Sequence, residues 1–237
     1  MLNISLKRTA RQGLFALLTF ALLLTGASVA FAGSSEPVRP INLSDSQRAR
    51  IERGEVLVTL QQNDDVNRGV ATGIIQAPMS DVVPLVEECW KYGDWRDNIK
   101  DTSLVSRSSD ERVVCAGTAK VPFPARDRDG HFNVHNHTRE LGGVESFVST
   151  FSYIEGSGNL GDMFGYWVLQ PYGPNNEHTL MRHVLNVDIG GWLPDFLVRW
   201  ATRSTLPDMV VGARAYLNKK KSQNLPGPNF WREHSYE

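Results

Sequence analysis

From Thr102 to Gly190 the chain is strand after strand. TSLVSR, ERVVCAGTAKV, HFNVHNHT, VESFVSTFSYI, YWVLQP and HTLMRHVLNVDI have the β-branched, alternating look of strands. Connections containing Ser-Ser-Asp, Gly-Gly and Pro-Asn-Asn separate most of them, as in an antiparallel meander. Beyond Gly190 the pattern changes. In LPDFLVRWATRSTLPDMVVGARAYLNKKK, Leu193, Phe196, Leu197, Trp200 and Ala201 recur at helical spacing, succeeded by Met209, Val210, Ala213, Tyr216 and Leu217. A curved sheet needs its apolar face covered, and one long terminal helix is the available cover. The order therefore predicts an α+β fold, a curved antiparallel sheet around a long C-terminal helix. A helix gripped this way commonly leaves a tunnel, and apolar concave cavities are the usual small-molecule sites.

The segments before the meander fit that plan. LSDSQRARIERG reads as a helix capped by Ser44 and stopped by Gly54. EVLVTLQ and VATGIIQ read as strands, with QNDDVNRG as the turn between them. In APMSDVVPLVEECWKYGDW, Ser80 is the expected N-cap and Val82, Val83, Leu85, Val86, Cys89 and Trp90 form an apolar stripe. Pro84 falls near the first turn, where a missing N–H costs little. Pro207 must kink or restart the terminal helix, with Thr205 as a new cap. EGSGNLGDMFG (155–165) is a long Gly-rich loop whose apolar tip, Met163 and Phe164, is the expected gate of the cavity.

Residues 1–32 read as an export signal: Lys7, Arg8 and Arg11, then the apolar run Leu14–Leu24, then Ala30-Phe31-Ala32 as a cleavage site. An uncleaved anchor is the alternative. Without the signal, 22 basic residues face 26 acidic ones, a net charge of −4, which argues against a broad nucleic-acid surface. The expected parts are the signal 1–32, a lead and helix 33–54, a ligand-binding domain 55–221 and an irregular tail 222–237. The chain is expected to work as a monomer, in the periplasm or secreted. Its two cysteines, Cys89 and Cys115, permit a disulfide there, while their apolar settings equally suit buried thiols.

Alternation picks out the candidate site. Met181, Leu185, Val187 and Ile189 share one face of their strand with a single polar member, His183. His183 can be a satisfied core histidine, a ligand contact or a general acid/base. By the same alternation Phe132 and Val134, Phe147, Phe151 and Tyr153, and Trp167 and Leu169 are cavity walls, with Phe196 and Trp200 facing them from the helix. The run VPFPARDRDGHFNVHNHT looks at first like an active site. The apolar pair Phe132 and Val134 belongs inside, however, so His131, His135 and His137 should look outward. Asp127, Arg128 and Asp129 are expected to pair locally. No metal and no cofactor is expected. GxSxG, a phosphate-cradling Gly loop and HExxH are all absent.

Three stretches carry a family resemblance. PFPARDRD is similar to the PFP-x-x-DRD stretch of START (StAR-related lipid-transfer) domains. VDIGGWLPDFLVRW resembles the acidic, Gly-Gly, aromatic, Leu-Pro signature that leads into their C-terminal helix. LQPYGPNNEHTLMRH resembles the pattern between the two. The resemblance, over about Glu55 to Asn218, implies a helix-grip fold of the START/SRPBCC superfamily holding one lipid-like molecule in an internal apolar cavity. The expected function is binding and transfer of a hydrophobic small molecule or lipid without catalysis, with transient membrane contact. The alternative is a cavity enzyme of the polyketide cyclase/dehydratase or hydrolase type using His183 as acid/base. Fatty acid, phospholipid, hopanoid, sterol, quinone and polyketide all remain open as ligands.

Overall fold

The computed structural model describes residues 35–62, 67–188 and 205–223, and all of them belong to one compact unit. The export signal, Phe196, Trp200, most of VDIGGWLPDFLVRW and the tail beyond 223 lie outside the described residues. In chain order the elements are α1 (Asp45–Glu52), β1 (Leu57–Gln62), β2 (Asn67–Ile75), α2 (Met79–Glu87), a 3-10 turn (Cys89–Asp94), β3 (Ile99–Arg107), β4 (Arg112–Ala119), β5 (Arg128–Leu141), β6 (Val144–Tyr153), β7 (Asp162–Tyr172), β8 (His178–Asp188) and α3 (Leu206–Ser222).

Among the described residues eight strands form one antiparallel sheet in the order β1-β2-β8-β7-β6-β5-β4-β3. The meander runs from β3 to β8, and β2 then pairs with β8. The first hairpin thereby extends the far edge of the sheet.

Because side chains alternate across a strand, the register sorts the inner face into rows. Gly73, Met181, Leu169 and Phe147 form one row; Ala71, His183, Trp167, Ser149 and Asn136 the next; Leu60, Gly69, Leu185, Gly165, Phe151 and Val134 a third. The first row is sealed by α2 and α3: Phe147, Leu169 and Met181 form a buried core with Val82, Leu85, Val86, Met209, Val210 and Ala213.

Two glycines of β2 let α3 come this close. A Cβ at Gly69 would lie 2.7 Å from the Leu206 side chain, and one at Gly73 would lie 2.9 Å from Val210. Arg214 fixes the position by donating to the carbonyls of Ile74 (2.7 Å) and Gly54 (2.8 Å).

The outer face is also covered, by a strap formed from the polar lead. Val38 and Ile41 pack on Leu141, Val148, Tyr166, Val168 and Val184. Glu36 pairs with Arg68 at 2.8 Å and accepts from Asn186 at 2.7 Å. Burial alone would raise the Glu36 carboxyl, but the bonds from Arg68 and Asn186 hold it below its usual range. Ile41 and Leu43 continue onto Ile51, Ile74 and Leu180.

Several local expectations meet different outcomes. Ser44 does cap α1, in a capping box with Gln47. Ser80 does not cap α2, which already starts at Met79 behind Pro78 with no side-chain cap. Thr205 likewise makes no cap bond, although Pro207 does sit in the first turn of α3. Asn67 to Gly69, expected as turn, already belong to β2. Cys89 and Cys115 are joined, tying the 3-10 turn to β4.

Candidate functional site

Between the second and third rows of the sheet, the 3-10 turn and α3 lies a cavity of about 240 Å³. Its walls arise from alternation: Phe132 and Val134 on β5, Phe151 on β6, Met163 and Trp167 on β7, and His183 and Leu185 on β8 all line it. Phe147, Leu169 and Met181 occupy the same face one row further along, where α2 fills the space, so they are core and not lining. Tyr153 also misses the cavity. Its ring lies over Gly130 and 5.9 Å from Phe132, and its hydroxyl accepts from the Gly158 N–H at 3.0 Å.

The expected gate is built differently. Met163 and Phe164 lie inside β7, not at a loop tip; Met163 lines the cavity and Phe164 does not. The loop's own apolar contribution is Leu160. Around it the loop is tied down: the Asn159 amide donates to the Asp127 carbonyl and accepts from the Asp129 N–H, and the Gly161 N–H donates to the Asp188 carbonyl.

His183 is 3% exposed and packed between aromatic rings, 3.9 Å from the Trp167 centroid and 5.7 Å from that of Phe151. Its Nδ1 has no hydrogen-bond partner among the described residues. Burial, and then the nearby Arg96 charge, hold its pKa well below the ordinary imidazole value, so the ring is neutral.

Arg96, Tyr92 and Thr205 also line the cavity without any signal from alternation or motif spacing, joined by Ser149 from the face of Phe147 and Phe151 and by Met209 from the helical stripe. Arg96 closes the 3-10 turn and is 7% exposed, its guanidinium carbon 5.7 Å from the Tyr92 ring and 5.9 Å from that of Trp95. Burial pulls its pKa down to about 10, which leaves it protonated at neutral pH. The Tyr92 hydroxyl, itself pushed up by burial, donates to the Val86 carbonyl.

The Arg-Asp-Arg-Asp run is architectural, with different partners from those expected. Asp127 does not pair within the run. It pairs with Lys100 at 2.9 Å and accepts from the Val121 N–H, because the β4–β5 turn folds back on the start of β3. Arg128 donates to the Arg126 carbonyl. His135 and His137 do face outward, stacked at 4.6 Å, with His135 Nε2 3.5 Å from Glu111.

No protein-family model and no curated protein matches the sequence. Solved structures do. The lipid transfer and protein localization domain of human StarD13 superposes with a TM-score of 0.53 at 12% identity, over 74% of this chain and 98% of that one. A STAR-related lipid transfer protein from Xanthomonas axonopodis gives 0.51 at 14% identity, over 68% and 98%. The Zhui aromatase/cyclase from a Streptomyces species gives 0.51 at 12% identity, over 65% and 95%. The fold is thus the helix-grip fold of START domains, shared with an aromatic cyclase. At these identities the likeness carries the architecture and leaves activity to the site.

Proposed function

We propose that this protein binds a hydrophobic, lipid-like molecule in the cavity between sheet and α3 and carries it without chemical change, outside the cytoplasm. The observation that carries the reading is the cavity wall: Phe132, Val134, Phe151, Trp167, Leu185 and Met209 present continuous apolar surface, and burying a ligand against it supplies about 25 cal/mol per Å². A few polar groups among them can fix the ligand's orientation. The cavity's 240 Å³ lies just below the roughly 300–1,000 Å³ of drug-sized sites, which favours one chain or one compact ring system over a two-chain lipid.

Two further observations fit. The Cys89–Cys115 bridge suits an oxidising compartment. Phe123 stands 93% exposed on the turn whose neighbours Val121 and Ala125 line the cavity, a position suited to touching a membrane during exchange.

The cyclase-type alternative asks His183 to move a proton. A ring held neutral by a pKa well below its ordinary value, with no partner on its Nδ1 among the described residues, is a weak base and suits hydrogen bonding to a ligand better. The test is native mass spectrometry of protein purified from its own host. A co-purifying apolar molecule, released on activation, is expected. Protein that emerges empty and takes up no hydrophobic probe sinks the proposal, and a ligand that leaves altered favours the enzyme.

A further inference from the structure

The described residues lining the cavity include two cations, Arg96 and Arg128, and no carboxylate. Arg96 is the buried one, and neither a hydrogen bond nor an ion pair from its guanidinium is found among the described residues; its Nε has no partner. The carboxylate whose charge acts on it is Asp208 on α3, which does not line the cavity. Burial raises the Asp208 carboxyl and the Arg96 charge draws it back down, but no ion pair forms between the two side chains among the described residues.

Leaving a guanidinium out of water without an anion is costly, and stacking on Tyr92 and Trp95 offsets only part of that cost. Elsewhere in the lining, Ser149 Oγ, His183 Nδ1 and Thr205 Oγ1 are buried and lack partners among the described residues, as do Asn98 Oδ1 and Arg128 Nε. Unpaired polar groups thus share a largely apolar space with one buried cation, whose charge reaches His183.

Resting on the carrier reading above, we infer that the ligand is a long-chain carboxylic acid, its carboxylate held by the Arg96 guanidinium with Ser149, His183 and Thr205 around it, and its chain lying along Phe132, Val134 and Leu185. A planar guanidinium is suited to two-point recognition of a carboxylate, and such charge-assisted bonds strengthen where water is excluded. An alcohol, ester or sterol hydroxyl of the same bulk leaves the cation unanswered.

The test compares dodecanoic acid with 1-dodecanol at pH 7.5, where the acid is ionised, using intrinsic tryptophan fluorescence below the micelle concentrations. The wild-type protein is expected to bind the acid roughly 10- to 100-fold more tightly than the alcohol. Arg96→Gln should bring the two within about twofold mainly by weakening the acid, and Arg96→Lys should keep part of the preference. Equal binding of acid and alcohol by the wild type overturns the headgroup assignment and leaves the carrier reading standing. So does an Arg96→Gln variant that keeps the gap. Failure of both ligands to bind overturns both readings. The wild-type comparison decides even if Arg96→Gln does not fold.

Discussion

His183 makes the stability of this protein depend on pH in a range where few side chains titrate. In the fold its pKa lies well below the ordinary value, chiefly through burial. The unfolded chain binds a proton near pH 6.5 and the folded chain does not, so stability rises with pH between the folded value and about 6.5 and falls on acidification. Working the linkage for one proton, with the folded site still neutral at pH 5.5, lowering the pH from 7.0 to 5.5 costs on the order of 1 kcal/mol. In a domain of this size that is roughly 2–4 °C in Tm. His183→Gln removes the titrating group while keeping a polar side chain of similar reach. Urea unfolding at the two pH values should therefore show a wild-type loss, on the order of 1 kcal/mol, that the variant lacks. Parallel losses in the two proteins would refute the reasoning, since His183 would then titrate in the fold as it does in water.

Three further outcomes are expected. Gly73→Val, whose Cβ would lie 2.9 Å from Val210, should cost about 1–3 kcal/mol by pushing α3 off β2, read as a lower urea midpoint; an unchanged midpoint would remove the close-approach argument. The Cys89→Ser/Cys115→Ser pair opens a bridge across a sequence separation of 26 and should lose about 3.5 kcal/mol, and dithiothreitol should reproduce that loss in the wild type but not in the variant. Glu36, held below the ordinary carboxylate range by Arg68 and Asn186, contributes stability above the unfolded carboxyl pKa of about 4.3 that is lost as pH falls through its lower folded value. Glu36→Gln should flatten that acid limb and raise amide exchange along residues 36–43; a limb unchanged in slope would mean the strap is held by Val38 and Ile41 alone.

The order of strands is readable because each side chain's fate repeats every second residue, and hairpin turns leave little choice of neighbour. Alternation also places Phe132, Val134, Phe151, Trp167, His183 and Leu185 on the inner face. It says nothing of position along a strand, however, which is why Phe147, Leu169 and Met181 share the face but lie under α2. Arg96 gives no signal because it falls just past the helical segment ending at Trp95 and before the strand from Thr102, and only the fold brings that guanidinium against Tyr92 and Trp95. The strap over the outer face has no periodicity to find, since an extended chain lying across strands obeys neither helical nor strand spacing. In GDMFG the glycines suggest a loop running on to residue 165, yet β7 begins at Asp162.

The Cys89–Cys115 bridge has a mechanical consequence. Both residues line the cavity, one from the 3-10 turn and one from β4. That wall is sutured, and it cannot part to admit a molecule while the bond holds. Any breathing large enough to pass a chain must come from walls without such a stitch, where Leu160 and Leu206 meet the cavity without a covalent tie. On the carrier reading, the side from which a ligand enters and leaves is thus set by where that bond lies.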